Sequence, residues 1–119
     1  MKAKIVKIHE NYLEFDTGHT LHSFHEQDCC EIHYVDFDYM KLEDVQDLVF
    51  DISSSNFIEP VAEYGVRLVP TNNFPVSVPG YGENNGYYST HLALILRDAE
   101  GKEIWNLNIS ECQSIEYGW

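Results

Sequence analysis

What this sequence has least of is positive charge. Seven Lys and Arg stand against twenty Asp and Glu, a formal net charge of −13. That balance argues against a nucleic-acid backbone, membrane phosphates or a polyphosphate as direct partners. Long apolar runs are missing as well: there is no stretch of about 18 apolar residues, so no helix is expected to span a membrane. The opening MKAKIVKIHENYLEF breaks its apolar character with Lys and His too early for a signal peptide, which gives a cytoplasmic location as the expectation. Cysteine is scarce. Three in a reducing compartment are poor material for structural disulfides, and the odd count leaves one over. Cys29 and Cys30 are neighbours, where a bridge would strain the intervening peptide, so all three are read as thiols.

What is present describes one folded unit. A chain of 119 residues is long enough for one core, and neither a repeat nor a linker divides it, so residues 1–119 read as a single domain. Hydrophobic content of 44% belongs to a globular protein, and eight tyrosines suit a β-rich fold, where aromatic rings pack well on pleated surfaces.

The acids are not evenly spread. Residues 26–51 hold nine (Glu26, Asp28, Glu31, Asp36, Asp38, Glu43, Asp44, Asp47, Asp51) against one base, Lys41, a local charge of −8. The plain reading is a solvated face that keeps the protein soluble. The sharper one is a surface that docks on a basic partner, with charge steering the encounter.

Residues 4–9 and 12–16 alternate as strands around a Glu10-Asn11 turn, and HTLHSFHE adds a third strand after Thr17-Gly18, making a meander. IHYVDFDYM alternates again. KLEDVQDLVF places Leu42, Val45, Leu48 and Val49 on one stripe, predicting a short amphipathic helix over 41–50. A strand is expected over 61–69. Residues 70–86, with three prolines and four asparagines, read as a long irregular loop of the kind that is often functional. Leu92, Leu94 and Leu96 alternate with Ala93 and Ile95, so that strand should be central and buried on both faces; Gly101 turns it into a hairpin. The tail CQSIEYGW is expected to pack back on the sheet. The fold class is therefore α+β, mainly β: a twisted antiparallel sheet of about six strands with one short helix.

Three constellations could carry chemistry. His19, His22, His25, Cys29, Cys30 and His33 are all metal-ligand types, and tetrahedral zinc needs four such donors. The spacing lacks a paired C-x-x-C or H-x-x-x-H form; His25, Cys29, Cys30 and His33 are the set to consider, beside the reading that they are part-buried histidines and small apolar thiols. A cysteine nucleophile is the second possibility, with Cys29 or Cys30 attacking, His25 or His33 as base, and Asp28 or Glu31 orienting the imidazole. Those same acids raise a neighbouring thiol's pKa and blunt it. The third is Tyr81-Gly82-Glu83-Asn84-Asn85-Gly86-Tyr87-Tyr88-Ser89, where tyrosine rings and Asn amides suit recognition, unless the rings merely pack on the sheet. It is not a phosphate loop, having no Gly-Lys-Ser ending and no adjacent base.

At His25-Glu26-Gln27-Asp28-Cys29-Cys30-Glu31 and at Tyr81 to Ser89 the chain resembles a family of small phage and prophage proteins of unknown function. That family carries H-x-Q-D-C-C-E followed downstream by Y-G-x-x-N-G-Y-Y-S. The likeness covers about residues 12–97. It departs where other members continue with a Gly-rich Ile/Leu-Gly-Ser segment and this chain has KLEDVQDLV. The resemblance implies a phage context, hence the host cytoplasm. It implies no established activity and carries over no catalytic residue.

The expectation is thus a non-catalytic acidic binding protein without a cofactor. Its partner would be a basic host protein concerned with defence or nucleic-acid handling. His25, Asp28, Cys29, Cys30, Glu31, Tyr81, Asn85, Tyr87 and Tyr88 would form the contact. Two other classes stay open. One is capture of a small ligand or nucleotide beside the Tyr87-Tyr88 loop, where only Arg67, Arg97, Lys102 and the early lysines could meet phosphate. The other is a cysteine- or zinc-dependent hydrolase. A homodimer through residues 4–9 or the tail around Trp119 is also possible.

Overall fold

A computed structural model describes residues 1–118. In chain order the strands are β1 (Lys2–Ala3), β2 (Ile5–Ile8), β3 (Tyr12–Phe15), β4 (Thr20–Phe24) and β5 (Ile32–Val35). A one-turn helix α1 (Leu42–Val45) precedes β6 (Phe50–Asp51), β7 (Ile58–Val61) and β8 (Gly65–Leu68). The chain ends with β9 (Val76–Asn84), β10 (Ala93–Arg97), β11 (Glu103–Asn108) and β12 (Ser114–Tyr117).

The expected meander β2-β3-β4 is present and lies in a five-stranded antiparallel sheet of order β11-β10-β4-β3-β2. β10 is an interior strand there, between β11 and the central β4, and Ala93 to Leu96 are buried on both faces, as their unbroken apolar run requires. A second sheet has the order β12-β9-β8-β7, with β5 also paired to β9. Leu13, Phe15, Leu21, Leu94 and Leu96 of the first sheet meet Val35, Val66, Leu68 and Val78 of the second in a single core. Two packed sheets plus the small β1-β6 pair replace the one sheet of about six strands.

Three segments account for the difference. The strand expected over 61–69 is a hairpin, β7 and β8, turned through Glu63 at φ 63°. The loop expected over 70–86 is mostly β9, whose glycines mark close packing and not a turn. A Cβ on Gly82 would overlap the His33 ring and come within 2.7 Å of Gln113 Oε1. Pro79 serves through its carbonyl, which accepts the Asp36 N–H at 2.9 Å. The helix expected over 41–50 is a single turn, because the chain extends again at Phe50 to pair with Ala3.

The tail does return to the sheet: β12 runs parallel to β9, with Ser114 opposite Tyr81 and Glu116 opposite Glu83. The edge expected at residues 4–9 is also there, since β2 ends the first sheet; Trp119 lies outside the described residues. No helix among the described residues is long and apolar enough to cross a membrane.

Candidate functional site

The two motifs meet at β5, β9 and β12, and the meeting has two sides. β5 pairs with β9 through Ile32–Glu83, His33–Gly82 and Tyr34–Tyr81. Side chains alternate across a sheet, so His33 lies on the inner side with Gly82 while Tyr34 and Tyr81 point outward.

The inner side is polar. Glu31, His33, Asn84 and Gln113 are the buried polar residues of the described chain, and none of its buried side-chain polar atoms lacks a partner. Gln113 Nε2 donates to the carbonyls of Thr90 and Ser110, both at 2.8 Å, which leaves its oxygen facing His33 Nδ1 at 2.7 Å. Asn84 accepts the Gly86 N–H at 2.8 Å, and its amide nitrogen donates to the Tyr88 carbonyl at 3.0 Å and to His33 Nε2 at 3.1 Å. Those amide orientations fix His33 as a neutral ring with the proton on Nδ1. Burial lowers its pKa further; the Gln113 hydrogen bond pulls upward and the His25 ring lowers it again.

Glu31 is the second anchor, with its side chain fully enclosed. Its carboxylate accepts the backbone N–H groups of Asp28 at 3.0 Å and Cys29 at 2.8 Å and sits 2.8 Å from His25 Nε2. The bend through residues 28–31 is folded around this charge, since successive backbone N–H groups suit an anion. Burial alone would push the carboxyl up, but the N–H groups of Asp28 and Cys29 and the His25 ring outweigh it and hold it at about 2. His25 Nδ1 donates to the His91 carbonyl at 2.6 Å, which ties this bend to the segment before β10. Gln27 completes the bend by donating to the Cys29 and Glu31 carbonyls.

Cys29 and Cys30 are joined as a vicinal disulfide at the exposed tip of this bend, and Cys112 is the buried free thiol. This corrects the reading of three thiols: the bend drawn around Glu31 brings the two sulfurs together. The suggested zinc set has no open donor in this arrangement, because His25 and His33 are engaged through both nitrogens and the two cysteines through each other. Among the described residues no three His, Cys, Asp or Glu side chains are grouped to hold a metal ion. The nucleophile reading meets the same obstacle.

The outer side is an open groove of about 490 Å³. Its floor is two rows set by register. Tyr34, Tyr81 and Ser114 lie abreast, and next to them Ile32, Glu83 and Glu116. The Tyr34 and Tyr81 rings are 5.9 Å apart, centroid to centroid, at 46°. Ile32 is 48% exposed, which inverts the usual order of a half-buried strand: Glu31 and His33 inside, Ile32 and Tyr34 outside.

The sequence-predicted contact residues therefore divide. His25 and Glu31 are interior, Tyr81 lies across the sheet in the groove, and Asp28, Cys29, Cys30 and Asn85 are exposed. Tyr87 is 83% exposed and stands edge-to-face with half-buried Tyr88 at 5.2 Å. Sequence reasoning missed Asn84, Gln113 and Gln27. The signal that could have found the first two is that buried His33 needs two partners, and both amides fall beside β5's partner strand: Asn84 ends β9, and Gln113 directly precedes β12 on its other side.

Residues 1–94 match a family model described as Domain of unknown function (DUF7448), and the chain belongs to that family. The match spans His25, Glu31, His33 and Asn84 and stops short of Gln113 and β12. No curated protein and no solved structure matches the chain.

Proposed function

We propose that this member of the DUF7448 family is a non-catalytic acidic binding protein that engages a basic partner protein. One observation carries the reading. Of the nine acids in residues 26–51, only Glu31 is buried and Asp36 half-buried; the other seven are exposed, with Lys41 the one base among them. Exposed carboxylates in such excess attract a basic partner and repel acidic ones. The chemistry-bearing groups support the same reading, since His25 is held by the His91 carbonyl and Glu31, His33 by Gln113 and Asn84, and Cys29 and Cys30 by each other.

The finer form is a phage-encoded protein that covers a basic host factor, one of defence or nucleic-acid handling, by presenting carboxylates where that factor expects phosphates. The excess of exposed acids in residues 26–51 and the two motifs support it. Nucleotide capture beside Tyr87 and Tyr88 has less behind it, because His25 and His33 are interior and Arg67 pairs with Glu59 at 3.1 Å.

The test is retrieval from host lysate at low salt, then titration of the purified partner across ionic strength. A basic protein whose Kd weakens about tenfold or more between about 50 and 200 mM salt supports the reading. Retention of no basic protein, or binding indifferent to salt, overturns it. A nucleotide-dependent rise in Tm would favour ligand capture instead.

A further inference from the structure

We propose that the groove over β5, β9 and β12 is where the basic partner docks, and that it takes an arginine side chain from an extended segment of that partner. This rests on the acidic-binding reading and names its contact surface.

Charge complementarity chooses the occupant. Glu83 and Glu116 stand opposite one another on neighbouring strands, and like charges in that position repel. Among the described residues neither has a cation within ion-pairing distance; the four ion pairs lie elsewhere. A sheet that sets two carboxylates abreast on its open face is relieved by a cation placed between them. The neighbouring row selects which cation. Tyr34 and Tyr81 offer ring faces with edges partly wet, 36% and 40% exposed. A guanidinium can both stack on such rings and reach two carboxylates with its planar fork, whereas an ammonium is a compact point charge that prefers its water. The aliphatic stem would lie along Ile32, which also lines the groove.

The surroundings reinforce the field. The Tyr34 hydroxyl is pushed up first by burial and then by Asp36, Tyr81, Glu83 and Glu10, so three carboxylates act on this ring. The platform is rigid underneath: the His33, Gln113 and Asn84 hydrogen bonds fix the three strands whose outward residues form the groove. The surface is prearranged, and little of it must order on binding. It is open along the sheet face, which suits a side chain carried on another protein better than an enclosed small molecule.

The probe is a ten-residue peptide of alternating Arg and Ser, titrated into the full chain at low salt by calorimetry. Controls are the same peptide with Arg replaced by citrulline, its Lys counterpart, and arginine amide alone. The test variant is Glu83→Gln with Glu116→Gln; the charge-matched control is Glu100→Gln with Glu103→Gln, on the β10-β11 hairpin outside both the groove and the acidic block of residues 26–51. All four side chains are exposed, so the core is untouched. The expected result is that the groove variant weakens the Arg peptide about tenfold or more while the control variant changes it less than about twofold. Tyr34→Ala with Tyr81→Ala should weaken Arg more than Lys.

Equal losses in the two charge variants would overturn the groove and leave the acidic-binding reading standing. Arginine amide binding as tightly as the peptide would overturn the partner-segment occupant. If the Arg peptide fails to bind but a purified basic protein does, the groove falls alone. If neither binds, the parent reading falls with it.

Discussion

Gln113 Oε1 lies 2.7 Å from His33 Nδ1, eighty residues away in sequence, on the buried side of Gly82. That contact fastens the last strand to the segment that follows the Cys-Cys bend. It also holds a histidine neutral inside an acidic protein, which has consequences for stability.

The first concerns pH near neutrality. A free histidine titrates near about 6.5 in the unfolded chain. His33 titrates lower when folded, chiefly from burial, so protonation favours unfolding. Its contribution is complete above the unfolded value and is lost as pH falls below it. Urea midpoints should therefore decline from pH 7.5 to 5, and His33→Gln should flatten that slope. A residue of slope will remain, because burial and then Arg97 shift His22 in the same direction. An unchanged slope in the variant contradicts the assignment.

A second acid transition belongs to Glu31. Its folded carboxyl sits at about 2, below the ordinary value near about 4.3. The stability it supplies is present above the unfolded value and disappears as pH falls from there toward about 2. Asp51, held at about 2 first by the Ser53 hydroxyl and then by its N–H, contributes in the same window. Glu31→Gln should lower Tm at pH 7 and shrink the acid transition to the Asp51 share, as read by circular dichroism melts across pH.

Asn84 tests the inner network more directly. It is fully buried, and alanine there removes the side chain that bonds the Gly86 N–H and the buried His33 Nε2. Each lost buried partner costs about 1–3 kcal/mol, with some relief from water, so Asn84→Ala should destabilise by about 2–4 kcal/mol in urea unfolding. Amide exchange should rise most over residues 85–91. A loss under about 1 kcal/mol would mean the network is not an anchor.

Thiol counting checks the bend. Unreduced protein should show no reactive thiol while folded and one, Cys112, on denaturation; its enclosure and the resulting upward pKa keep it unreactive in the native state. Reduction should expose two more. Two reactive thiols in native unreduced protein would restore the reading of Cys29 and Cys30 as free.

The Leu92–Leu94–Leu96 alternation with Ala93 and Ile95 determined a doubly buried strand, because burial on both faces needs apolar residues at every position. The turns at Asn11, Gly18 and Gly101 determined the meander and the last hairpin. Charge by itself determined an acidic molecule, with twenty Asp and Glu against seven Lys and Arg. What the sequence could not decide was the direction of β5 and β9. Where they pair, His33 and Asn84 face inward beside Val35 while Ile32, Tyr34 and Tyr81 face outward, and only partners from distant segments make that orientation stable. Glu31 looks like one more surface acid until His25 and two backbone N–H groups close on it. Pro79, Gly80 and Gly82 signal a loop until β5, β8 and β12 crowd against them. Local pattern records which side chains water tolerates; tertiary structure decided which of them would find another partner first.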